Sequence, residues 1–121
     1  MNTEREKQIT NYLNMMQIPD NLNGFKYLKL AVSESLNNPE YLRDVTNVLY
    51  NIVGEKYHVS KQNVEISIRR AIEKAWSRSE DAMRTALRPA YGCEMLRKPT
   101  NLEIISDLNW IIRLEEISAL C

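Results

Sequence analysis

Apolar residues recur every three or four positions along most of the chain, the spacing that places them on one side of an α-helix. No stretch alternates between apolar and polar residues for long enough to predict a strand. The pattern predicts helices at about 3–17, 25–36, 39–57, 61–78, 79–88 and 100–117. We therefore expect an all-α fold of about six helices, forming a single compact domain over residues 1–121.

Polar residues with a capping role mark several of these helix starts. Thr3 with Glu6, and Thr100 with Glu103, have the spacing of a capping box, in which two side chains satisfy free backbone N–H groups of the first turn. Ser60 stands immediately before the fourth helix and suits its N-cap position.

Two helix boundaries depend on proline. Ser79 suits the cap of the fifth helix, and Pro89 is expected to end it, because proline removes a backbone N–H and clashes inside a helix. The third segment, 39–57, starts at Pro39, which suits the first helical position. The pattern leaves open whether this segment breaks near Thr46.

The composition is that of a folded globular chain, with 44% apolar and 26% charged residues among 121. The chain has only three Gly and four Pro, and this scarcity disfavours a β-sandwich or barrel, which needs turn residues at short intervals. No apolar run is long enough to span a membrane, and the N-terminus lacks a signal peptide, so we expect a cytoplasmic protein. Cys93 and Cys121 lack metal-ligand spacing and fit free thiols.

The net charge of zero conceals an uneven distribution. Residues 61–98 hold nine Lys and Arg against five Asp and Glu, whereas residues 99–121 hold one against four. A basic segment can face phosphates even when the whole protein is neutral.

The segment IVGEKYHVSKQNVEISIRRAIEKAWSR, residues 52–78, has the pattern of helix, tight turn and helix. Gly54 is small at a position where we expect the second helix to cross closely. His58 lies at the turn, where a left-handed backbone is often required. We place a helix-turn-helix at about 47–78, a motif whose second helix enters the DNA major groove.

The outward side of the second helix carries side chains suited to DNA. Residues in its N-terminal half would meet base edges, where Arg pairs with guanine, Gln or Asn with adenine, and Glu accepts from cytosine. Backbone amides at the N-cap and basic residues further along would hold phosphates. The expected DNA-facing residues are Ser60, Lys61, Gln62, Asn63, Glu65, Ile66, Arg69, Arg70, Lys74 and Arg78. A solvated basic face on an ordinary helix pair is the alternative interpretation.

Catalysis has little support in the sequence. His58 is the single histidine and has no nucleophile motif around it, and Cys93 has no base nearby in the sequence. Asp107, Glu115 and Glu116 fit a solvated helix face better than an acid–base pair. We expect no enzyme activity, no cofactor and no bound metal.

Residues about 8–117 resemble the C-terminal effector domain of the stage-zero sporulation protein A family, the sporulation master response regulators. The resemblance rests on IPDNLNGFKYLKLAV, VTNVLY, VEISIRRAIEKAWSR and KPTNLEII, in the family's order and spacing. It implies a helical transcriptional regulator whose helix-turn-helix binds a short promoter box with a CGAA-like core. It also implies that Glu65 and Arg69 contact bases.

Several positions depart from the family pattern. Ile66 replaces a base-reading Arg, Asn63 replaces an Arg, and Arg70 replaces a His. Losing one Arg–guanine pair forfeits about 1–3 kcal/mol of discrimination, so the preferred DNA site is expected to differ. Ile66 suits either a thymine methyl group or a protein contact. The segment 79–91, which matches the family's sigma-contacting region, also differs considerably from it.

The resemblance brings further partners into view. Besides double-stranded DNA, it indicates the sigma subunit of RNA polymerase. A homodimer is expected for a separate reason, because one short helix buries too little surface for specific affinity. The chain begins almost at the effector helices, so we expect it to lack a phospho-receiver domain. The alternative function is a protein-interaction module that pairs with a full-length regulator or RNA polymerase without reading DNA.

Overall fold

A computed structural model describes residues 3–91 and 95–120 of the chain. Within these ranges the helices are α1 (Thr3–Met15), α2 (Asn23–Asn37), α3 (Tyr50–Tyr57), α4 (Lys61–Arg78), α5 (Glu80–Tyr91) and α6 (Asn101–Ala119). A 3-10 segment (Pro39–Arg43) and a π-helical segment (Val45–Leu49) connect α2 to α3. No strand occurs in the described ranges, and the predicted all-α fold is confirmed.

One apolar core joins the helices, because each contributes the side on which its apolar residues recur. α2 lies centrally and packs against α1, α4 and α6, with its most extensive contacts on α4. The largest fully buried side chains are Ile9, Leu13, Met16, Leu28, Leu49, Ile68, Ile72, Met83, Leu87, Ile104, Ile105 and Leu108. α4 is therefore anchored on its inner side along much of its length.

Gly24 allows α2 to cross α4 at very short range. A Cβ placed on Gly24 would overlap the Ser67 carbonyl oxygen and lie 2.7 Å from the Ala71 Cβ. α2 begins at Asn23, two residues earlier than the pattern predicts, so Gly24 lies inside the helix rather than before it. Its role is to let two backbones approach, since no larger side chain fits the crossing.

The connection between α2 and α3 breaks at Asp44, two residues before the position suggested by the pattern. Asp44 has φ −147° and ψ 78°, and its carboxylate accepts a hydrogen bond from the Asn47 N–H at 3.1 Å. An aspartate at this position satisfies a free N–H of the next helical segment, which is the usual reason for a helix to restart there. Val45 and Leu49 are buried and fix that segment on the core.

Three predictions about where helices begin or end need correction. Thr3 lies inside α1 rather than capping it, and α1 ends at Met15, after which Gln17 adopts a left-handed backbone with φ 62°. The prediction that Pro89 ends its helix is wrong, because α5 continues to Tyr91. Pro89 and Thr85 are both exposed, so water can satisfy the Thr85 carbonyl that proline leaves without a donor. Gly92 and Cys93 lie outside the described residues.

Candidate nucleic-acid interface

α3, a three-residue turn and α4 form the predicted helix-turn-helix. His58 has φ 58° and ψ 43°, which confirms the left-handed position in the turn. The Val59 N–H then donates to the Gly54 carbonyl at 2.9 Å, closing the end of α3. A Cβ on Gly54 would lie 2.5 Å from the Val59 carbonyl oxygen. Gly54 is thus required by the turn backbone, and not by the second helix as predicted.

The N-terminus of α4 is capped as predicted. The Ser60 hydroxyl accepts a hydrogen bond from the Asn63 N–H at 3.1 Å, and α4 then runs from Lys61 to Arg78. The Asn63 side chain is also engaged, because its Oδ1 accepts from the Ser67 hydroxyl at 3.0 Å. Its amide group therefore lies along the flank of α4 in the free protein.

Gln62, Ile66 and Arg69 lie on successive turns of one outer surface of α4. Gln62 and Arg69 are exposed, whereas Ile66 is half-buried. The half-buried Glu65 borders this surface, and a groove of about 270 Å³ runs between it and Thr46 of the π-helical segment. The groove is lined by Thr46, Lys61, Gln62, Glu65, Ile66 and Arg69. Most of the predicted base-reading residues thus meet at one place.

Arg70, Lys74 and Arg78 form an exposed strip on the other flank of α4. Their spacing of four residues keeps them on neighbouring turns. The structure therefore separates the predicted phosphate-binding residues from the predicted base-reading surface, on the same helix.

Arg69 is held by ion pairs in the free protein. Its Nη1 lies 3.1 Å from Glu65 Oε1, and its Nε lies 3.9 Å from Glu73 Oε1. The same Glu73 oxygen lies 3.5 Å from Lys98 Nζ, in the segment before α6. Exposed ion pairs of this kind contribute at most about 1 kcal/mol to stability, so a contact between Arg69 and DNA can compete with them.

Sequence reasoning missed several residues beside this surface. Thr46 and Asn47 are exposed at the start of the motif, where the first helix of such a motif crosses the DNA backbone. Asn47 Oδ1 also accepts a hydrogen bond from Lys61 Nζ at 2.8 Å, which ties α4 to the π-helical segment. The VTNVLY run could have indicated Thr46 and Asn47, whereas no local pattern places Lys98 beside α4.

α6 begins next to α4, with the capping box predicted for Thr100 and Glu103. The Glu103 N–H donates to Thr100 Oγ1 at 3.2 Å, and the Thr100 N–H donates to Glu103 Oε1 at 2.8 Å. Arg97 donates to both Glu103 oxygens at 2.8 and 2.9 Å. These bonds to Arg97 and Thr100 lower the pKa of Glu103 to about 2.

The acidic residues of α6 have structural partners. Tyr12 of α1 donates its hydroxyl hydrogen to Glu115 at 2.8 Å, and Arg5 pairs with Glu116 at 2.6 Å. Asp107 is half-buried next to Tyr91, and burial raises its pKa to about 6. Glu115 is exposed, whereas Asp107 and Glu116 are half-buried, so this face of α6 is partly solvated and partly engaged with its neighbours.

Across residues 3–91 and 95–120, no three His, Cys, Asp or Glu side chains come together as a metal site would require. In those same ranges no helix combines the length and the apolar character needed to cross a bilayer.

The capped second helix, the tight turn and the basic and amide side chains facing outward define a helix-turn-helix DNA-binding domain. The family described as "Sporulation initiation factor Spo0A C terminal" has a sequence model that matches residues 9–112 of the 121. The chain belongs to this family, a family of DNA-binding regulatory domains of sporulation, and the resemblance drawn from its sequence is confirmed.

Proposed function

We propose that this protein is a sequence-specific transcriptional regulator that inserts α4 into the major groove of promoter DNA. The observation that carries the proposal is the single outer surface formed by Gln62, Ile66 and Arg69, bordered by Glu65. These residues occupy the N-terminal half of a capped helix, the part that contacts base edges in helix-turn-helix proteins.

Each side chain then has a chemical role. Arg69 donates to guanine O6 and N7, Glu65 accepts from cytosine N4, and Gln62 suits adenine. Lys61 and Asn63 assist at the first turn, and Ile66 contacts a thymine methyl group. Ile66 cannot donate a hydrogen bond, so it selects a different base from the arginine that the family resemblance implies there.

Phosphate binding falls to the second flank of α4. Arg70, Lys74 and Arg78 would contact one DNA strand, while the first-turn backbone N–H groups after Ser60 face a phosphate at the positive end of the helix. Such contacts set the register of the protein on the duplex without reading its sequence.

A second candidate function is a protein-interaction module, favoured by an apolar strip on α6. The side chains of this strip are exposed, by 51% for Trp110, 42% for Leu114 and 59% for Ile117. Their spacing places them together on the side of α6 opposite the core. Exposed apolar surface of this kind marks contact sites. A second copy of the chain is the partner that we propose for this strip, whereas the sigma subunit of RNA polymerase is proposed for α5, which spans most of the segment 79–91.

Fluorescence anisotropy with a promoter-box duplex and a scrambled duplex, at low and physiological salt, tests the main proposal. We expect the wild type to prefer the promoter box over the scrambled duplex, because Glu65 and Arg69 keep their base contacts although Ile66 does not match the box, and we expect its affinity to fall steeply with salt. Arg69→Gln should reduce this preference about tenfold, because one bidentate base contact is lost. Arg88→Gln, which removes the same charge from an exposed site on α5, should leave the preference unchanged.

The other outcomes separate the two functions. Equal binding of both duplexes, at low salt alone, contradicts sequence-specific recognition of this box. Absence of binding to either duplex favours the interaction module. In that case binding to the partner should depend on Trp110 and be less sensitive to salt.

A further inference from the structure

The first residue of α6 reaches back to the helix-turn-helix through its side chain. Asn101 Nδ2 donates a hydrogen bond to the backbone carbonyl oxygen of Glu65 at 3.0 Å, across 36 positions of sequence. Asn101 is half-buried, and it is the first residue of α6. This bond therefore links α6 to the turn of α4 that carries a proposed base-reading residue.

The position of this bond on α4 is unusual. Glu65 lies well inside α4, where a carbonyl already accepts from the N–H four residues later, and its second lone pair is free to accept from outside. An external donor at that point adds a constraint on the rotation of α4 about its axis and on its distance from α6, beside the anchoring of its buried inner side. Rotation about the axis decides which side chains face the DNA.

The same side chain also meets the first helix of the motif. Tyr50 of α3 is 3% exposed and lines a cavity of about 500 Å³ together with Asn101 and Glu65. Burial raises the pKa of its hydroxyl, while the Asn101 side chain acts in the opposite direction. One amide group thus interacts with both helices of the helix-turn-helix.

Asn101 is itself held in place by its neighbours. The Thr100–Glu103 capping box and the pairing of Arg97 with Glu103 fix the start of α6, and Pro99 is buried beside it. The amide therefore extends from a rigid support rather than from a free loop.

We propose that Asn101 is a positioning residue for DNA reading. It sets the orientation of α4 relative to α3, so that Glu65 and Arg69 reach the base edges together, and it does not touch DNA itself. This inference rests on the proposed function and adds to it a residue outside the motif. Loss of the amide should lower discrimination between sequences more than it lowers general affinity for DNA.

Asn101→Asp is the sharpest variant for testing this role. It keeps the size of the side chain and removes the donor, while an acidic residue in the first turn of α6 favours the helix dipole. We expect the ratio of promoter-box to scrambled-duplex affinity to fall about tenfold, as for a misaligned base contact. The slope of affinity against salt should stay unchanged, because no phosphate contact is lost. Asn101→Ala should behave similarly.

Asn109→Ala is the matched control. Asn109 is also an asparagine of α6, and its Nδ2 donates to Ser35 Oγ of α2 at 3.1 Å, away from the helix-turn-helix. Its loss should lower the thermal midpoint without changing the affinity ratio. All variants are compared at a temperature where circular dichroism shows each of them fully folded.

Three results would overturn the inference. The first is an unchanged affinity ratio in both Asn101 variants, and the second is an equal fall in Asn109→Ala, which would indicate general loosening. The third is a salt slope reduced by about one, which would indicate a direct phosphate contact. If the wild type shows no preference for the promoter box, the proposed function fails first, and the inference falls with it.

Discussion

Glu103 and Asp107 lie one turn apart on α6, and their environments shift their pKa values in opposite directions. Arg97 and the Thr100 cap hold the pKa of Glu103 at about 2, because they favour its charged form. Burial raises the pKa of Asp107 to about 6, with the charge of Glu103 adding to the shift and the Tyr91 hydroxyl opposing it. Composition and spacing show two similar carboxylates here, and their difference comes from tertiary neighbours.

The raised pKa of Asp107 predicts a pH-dependent stability. Between its ordinary value of 3.8 and the raised pKa of about 6, the folded state binds more protons than the unfolded state, so stability falls as pH rises through this window. Asp107→Asn removes the charge and keeps an acceptor for Tyr91. We expect a higher thermal midpoint at pH 7 and a flatter dependence between pH 4 and 6, measured by circular dichroism.

Asp20→Asn, at an exposed turn, is the control for this substitution and should leave the pH profile unchanged. A lower midpoint of Asp107→Asn at pH 7 would show that the ionised carboxylate stabilises the fold, contrary to the expected sign.

The bounds of α4 agree with the prediction because each is set by local chemistry. Ser60 satisfies a first-turn N–H, and the helix runs without Gly or Pro until Ser79 takes an extended backbone. The Ser79 hydroxyl then accepts from the Ala82 N–H at 3.0 Å and starts α5. Capping depends on residues within three positions, so the sequence can indicate it directly.

The bounds and geometry of other elements depend on long-range packing, so the local sequence pattern does not predict them. The early start of α2 depends on α4 lying against Gly24, and the π-helical geometry of Val45–Leu49 depends on seating Val45 and Leu49 in the core. The candidate site divides in the same way. Its residues on α4 follow from periodicity, whereas Lys98 and Asn101 become part of it only through folding.

Gly24→Ala tests the contact between α2 and α4. In an isolated helix alanine is more favourable than glycine by about 1 kcal/mol, but here its Cβ would overlap the Ser67 carbonyl. We therefore expect a net loss of about 1–3 kcal/mol in the free energy of unfolding, as for an overpacked core, measured by urea titration.

Asn14→Ala, at an exposed position of α1, is the comparison for this loss and should change the free energy of unfolding little. A gain in stability for Gly24→Ala would mean that α2 and α4 can separate at low cost.

On the scale of the whole molecule, charge is sorted by the fold rather than by sequence order. The last helix is acidic, but its carboxylates Glu115 and Glu116 are bound to α1. Arg70, Lys74 and Arg78 remain exposed together on α4. A neutral chain can thus present a locally positive surface to a polyanion.

Lys74→Gln tests whether this surface meets phosphate. It should weaken binding to the promoter box and the scrambled duplex by the same factor, and reduce the salt slope by about one. Lys7→Gln, at an exposed position of α1, carries the same change in charge and should have little effect on either measure. A change in sequence preference with Lys74→Gln would instead assign Lys74 to base reading.

α4 and α6 are joined directly by the bond between Asn101 and Glu65, although α5 lies between them in the chain. Met83 and Leu87 bury the inner side of α5 in the core. The outer side of α5 does not take part in the hydrogen bond between Asn101 and Glu65. The outer side can therefore diverge and suit a new protein partner while the DNA target is retained. Under the proposed function, substitutions at Ile66 or Gln62 would change the preferred DNA site while the rest of the surface stays the same. The fold thus allows its two kinds of recognition to evolve separately.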